Sequence, residues 1–63
     1  MNYTVRLINE DNSKNDIVYQ VNEFEAAEHF LWAIANRLKD KLGNWQLTLT
    51  GEGKDLYHFV RSL

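Results

Sequence analysis

Apolar and polar residues alternate in four short stretches of this chain, and in one longer stretch between them the apolar residues recur at spacings of three and four. From Tyr3 to Ile8 the alternation sets Tyr3, Val5 and Leu7 against Thr4, Arg6 and Ile8, as in a strand whose successive side chains point to opposite faces. From Ile17 to Val21 it sets Ile17, Tyr19 and Val21 against Val18 and Gln20. The residues between, Glu10 to Asp16, are all polar and rich in Asn, Asp and Ser, whose side chains bond locally to the backbone and favour turns. The first 21 residues therefore read as a β-hairpin.

Phe24, Ala27, Leu31, Ile34, Ala35, Leu38 and Leu42 then form one stripe at about 100° per residue, which is the apolar face of a helix. Asn22 offers an N-cap and Glu25, three positions on, the returning half of a capping box. Glu23, Glu25 and Glu28 near the start and Arg37, Lys39 and Lys41 near the end complement the helix dipole. With Gly43 as a left-handed C-cap, the helix is expected from about residue 23 to about 42, a length of ~30 Å.

Two further strands follow. From Trp45 to Thr50 the pattern places Trp45, Leu47 and Leu49 on one face and Gln46, Thr48 and Thr50 on the other. Gly51 to Asp55 reads as a glycine-bearing turn, and Leu56 to Val60 as the last strand. Its register has two solutions, and the one with Tyr57 and Phe59 inward is preferred because the other puts the ionisable His58 in the core.

The order ββαββ predicts an α+β domain over residues 1–63: one four-stranded sheet covered on one face by one long helix. If the helix returns the chain so that the first and last strands run parallel at the centre, the spatial order is 2-1-4-3, an arrangement that resembles β-grasp domains. The resemblance is one of arrangement and implies nothing about function.

Composition narrows the function classes. Seven Lys and Arg against nine Asp and Glu leave a net charge of -2, which gives no general attraction to phosphate backbones or anionic membranes. Without cysteine the fold must rest on apolar packing, and the composition suits a reducing compartment such as the cytoplasm. No run approaches the ~20 apolar residues of a membrane span, and no signal-peptide pattern opens the chain.

Candidate chemistry is sparse. Gly51-Glu52-Gly53-Lys54 echoes a phosphate-binding loop, but the required spacing fails at Thr48 and Asp55, and the segment joins two strands. His29 and His58 lack the closely spaced partners of a recognisable zinc motif, and the carboxylates are accounted for by capping and turns. The chain is therefore expected to hold no cofactor or metal, to have no small-molecule substrate, and not to be an enzyme.

Surface recognition remains. Trp32 falls well away from the apolar stripe, near Glu25, His29 and Asn36, and a partly exposed Trp is a common binding anchor; the plainer alternative is an aromatic folded over the core's edge. Phe30, on the other flank, invites the same two readings. The sheet face away from the helix, with Thr4, Arg6, Ile8, Val18, Gln20, Gln46, Thr48, Leu56, His58 and Val60, is apolar enough that a homodimer or another protein could cover it. The expected protein-binding residues are Trp32 and Phe30, with His29, Asn36 and Arg6 at the rim. The competing class is single-stranded nucleic-acid binding on the open sheet, with Arg6, His58 and an outward Tyr57 or Phe59, although no basic patch supports it.

Overall fold

The computed structural model describes residues 2–11, 14, 16–40 and 43–62. Strands β1 (Tyr3–Asn9) and β2 (Ile17–Val21) are followed by helix α1 (Phe24–Leu38) and by strands β3 (Trp45–Gly51) and β4 (Lys54–Arg61). The four strands form one sheet, and α1 lies on one face of it. Val5, Leu7, Leu47 and Leu49 from the sheet and Ala27, Leu31 and Leu38 from the helix are the buried core, as the alternation and the stripe require.

The order is β2-β1-β3-β4 with every neighbouring pair antiparallel, so the expected 2-1-4-3 order is corrected. The central pairing is β1 with β3, held over seven residue pairs from Tyr3↔Gly51 to Asn9↔Trp45. This lets α1 carry the chain over a single strand, where the expected order would take it from one sheet edge to the other. Polar residues after β1 fasten its end to the start of β3: the Asn44 backbone N–H donates to Asp11 Oδ2 (2.8 Å), and Gln46 Nε2 donates to Glu10 Oε1 (2.8 Å).

The helix is shorter than its pattern. Asn22 is not the cap: Glu23 occupies that position with extended backbone and no side-chain cap bond, so Glu25 completes no capping box. At the other end the helix stops at Leu38. An acid at Asp40 opposes the dipole there, and Arg61 from β4 donates to the Lys39 carbonyl, giving it a partner outside the helix. Leu42 and Lys41 lie outside the described residues, and Gly43 leads into β3 rather than capping α1.

Tyr57 and Phe59 face the helix and His58 faces solvent, as the register argument expected. The last hairpin turns on two residues only, Glu52 and Gly53, both with positive φ (53° and 73°), the backbone that a type I′ turn demands. One bulge interrupts β4: Leu49 opposes Tyr57 and Thr50 opposes Asp55, leaving Leu56 as the extra residue. The bulge takes Leu56 off the open face, since its Cδ1 would lie 3.3 Å from a Cβ built at Gly51, on the side where Tyr3 packs.

Candidate functional site

The helix surface away from the sheet carries a polar crest with aromatic shoulders. His29 and Asn36, seven positions apart and so nearly superposed along the axis, are exposed on the crest. Toward β4, Trp32 lies against two inward-facing rings of that strand, with centroids 5.9 Å from Tyr57 and 5.6 Å from Phe59, yet remains 46% exposed. Toward β2, Phe30 stacks on Tyr19 at 4.9 Å with the rings almost parallel, and His29 meets its edge at 6.4 Å.

The five residues singled out from the sequence thus do not make one surface. Trp32, Phe30, His29 and Asn36 share the outer side of α1, with Trp32 and Phe30 on opposite flanks. Arg6 lies on the far face of the sheet, between Val18 and Thr48 in the same cross-strand row, and cannot join them. On that face the apolar residues are also dispersed. Val60 is parted from Ile8 by Gln46, and Val18 is at the opposite edge beside Arg6, so no continuous apolar patch forms.

Tyr19, Tyr57 and Phe59 are neighbours of the candidate residues that the pattern did not place beside them. Each was assigned inward by alternation, which is right, but β2 and β4 are edge strands, so an inward ring there is only half covered and becomes part of the flank. Between β2 and α1 a groove of about 240 Å³ is lined by Ile17, Tyr19, Phe30, Ala33, Ile34 and Arg37.

On the Trp32 side the Tyr57 hydroxyl donates to Glu28 Oε2 at 2.8 Å. Because the carboxylate accepts that proton's hydrogen bond, and through desolvation and the negative charge as well, the phenol pKa is raised above its ordinary value. A raised folded-state pKa favours the neutral phenol in the fold, so the stabilisation is complete below the unfolded value of about 10 and is lost as pH climbs through the folded one. The unfolding midpoint of the protein should therefore fall relative to that of Tyr57→Phe as denaturant titrations move above pH ~10. Parallel pH profiles for the two proteins would show that the Glu28 bond is not formed in solution.

Among the described residues no three His, Asp or Glu side chains gather to hold a metal ion, and no helix is long and apolar enough to cross a membrane. No protein-family model matches this chain, and neither does a curated protein or a solved structure.

Proposed function

We propose that this chain is a small non-enzymatic protein-binding module of the cytoplasm that meets its partner through the Trp32 shoulder, with His29 and Asn36 as the polar rim. The observation that carries the reading is the combination at Trp32 of about half exposure with firm backing from Tyr57 and Phe59. A ring held in one place by its neighbours gives up little side-chain entropy on binding, and its open half still has apolar area to bury. The groove near β2 is small beside the 300 to 1,000 Å³ or so typical of small-molecule sites, which favours a binding over an enzymatic role. Single-stranded nucleic acid draws less support, since Tyr57 and Phe59 turn toward the helix and leave the open face without the rings that would stack bases.

Trp32→Ala should lower stability by only about 1 to 2 kcal/mol, well under the loss for a fully buried aromatic, and leave a folded protein for binding assays. The contact itself is tested by placing a photo-reactive benzoylphenylalanine at position 32 and, as a control, at His58, then irradiating in the native cells. A discrete cross-linked protein from position 32 alone supports the reading. Equal yields from both positions, or none at position 32, would remove it.

A further inference from the structure

The two edges of the sheet are built differently. β4 carries Lys54, Asp55, His58 and Arg61 and is broken by the bulge at Leu56, devices that discourage a further strand from pairing. β2 has none of these: Ile17-Val18-Tyr19-Gln20-Val21 is uncharged, free of proline and pairs with β1 without interruption. Val18 is 56% and Tyr19 44% exposed. An unprotected apolar edge beside an open groove is a surface shaped for strand addition.

Charge on the neighbouring helix flank specifies which strand. Phe30 and Arg37, seven positions apart, lie along the side of α1 that overlooks β2, and Glu23, the extended residue at the cap position, follows the end of β2 by two positions. Glu23 lies just beyond Val21, while Arg37 lines the groove with Ile17, so α1 runs antiparallel to β2 and the acid and the base mark opposite ends of the edge. Neither side chain has an ion-pair partner among the described residues. The pattern is its own complement about its midpoint, where Tyr19 stacks on Phe30.

We propose that a second copy of this chain adds antiparallel to the free edge of β2, about a two-fold axis through Tyr19. The axis sets Tyr19 opposite its equivalent and Ile17 opposite Val21 of the other copy. Arg37 of each copy comes to the end that carries Glu23 of the other, and the two grooves merge into one cavity walled by both Tyr19–Phe30 stacks. The contact is isologous and closes after two copies. Addition of β2 to another copy's β4 would instead propagate into a filament, and the charges and bulge of β4 oppose it. This dimer uses the flank opposite Trp32 and stands apart from the binding role assigned to that residue.

The test is light scattering over a concentration series with the full chain. The mass should rise from one chain to two, and Val18→Lys, which places a charge on the edge, should hold it at one with an unchanged circular dichroism spectrum. Glu23→Arg and Arg37→Glu should each be monomeric, because like charges then meet at both ends. Mixed in equal amounts, the two variants should pair, since the doubly basic flank of one now faces the doubly acidic flank of the other. A wild-type mass of one chain throughout overturns the proposal. So does a dimer that survives Val18→Lys, or a mixture of the two charge variants that stays monomeric while each is folded.

Discussion

Replacing Leu31 with alanine should lower the unfolding free energy by about 3 to 4 kcal/mol, among the largest effects open to a single truncation here. Leu31 is fully buried at the middle of the helix stripe, within the cluster that contains Val5, Leu47 and Leu49. The core of a 63-residue chain is small, and typical per-residue stabilities put the whole domain at about 3 to 9 kcal/mol. The change therefore takes a large share of the total, and at the lower end of that range it unfolds the protein at room temperature. Urea titration of Leu31→Ala beside Val60→Ala separates core from surface. Val60 is exposed at the edge of the open face and should lose no more than ~0.5 kcal/mol. Equal shifts for the two would contradict the packing of α1 on the sheet.

Gly51→Ala should also destabilise, by about 1 to 3 kcal/mol, against the propensity rule that a strand prefers alanine to glycine. Gly51 ends β3 on the helix side, directly opposite Tyr3, and the Tyr3 ring lies across it. A Cβ there would be 2.6 Å from Tyr3 Cε1 and nearer still to Cδ1, so the ring must leave its place and with it the edge contact to Phe24 at 5.6 Å. The Tyr3 ring is the main obstacle and Leu56 Cδ1, at 3.3 Å, a lesser one, which makes the effect conditional on Tyr3. In a Tyr3→Leu background the same glycine substitution should cost far less, and a double-mutant cycle should give a coupling of at least ~1 kcal/mol. Additive losses, or a gain in stability from Gly51→Ala alone, would show that the ring does not occupy that position.

Much of this architecture was legible in the pattern of side chains, for a physical reason. Alternation at a period of two and the helical stripe report which face of each element is buried, and burial dominates the energetics of a small domain. So Val5, Leu7, Leu47, Leu49, Ala27, Leu31 and Leu38 were identifiable as core, and the cost of burying a polar imidazole was enough to expect His58 outward. Features settled between distant residues were not. Asp11 and Glu10 look like ordinary turn residues until β3 arrives beside β1 and Asn44 and Gln46 bond to them. At the early end of α1 the Lys39 carbonyl accepts from Arg61, a residue more than twenty positions downstream. Exposure of Trp32 was foreseeable from its angle on the helix. Its support by Tyr57 and Phe59, and the pairing of Phe30 with Tyr19, required knowing which strands form the edges.

The placement of β1 between β2 and β3 bears on how quickly the chain can find this arrangement. The β3–β4 hairpin closes through a two-residue turn whose backbone twist suits it, and can form on its own within microseconds. By contrast Leu7 meets Leu47 only after the intervening chain has been gathered in, 40 positions further along, so the entropy of closing that loop is spent before the core rewards it. The slow event in folding is then the joining of the N-terminal hairpin to the C-terminal one beneath α1. Substitutions at the β1–β3 seam should act chiefly on the refolding rate, whereas those along the outer strand β2 should act chiefly on the rate at which the finished sheet comes apart.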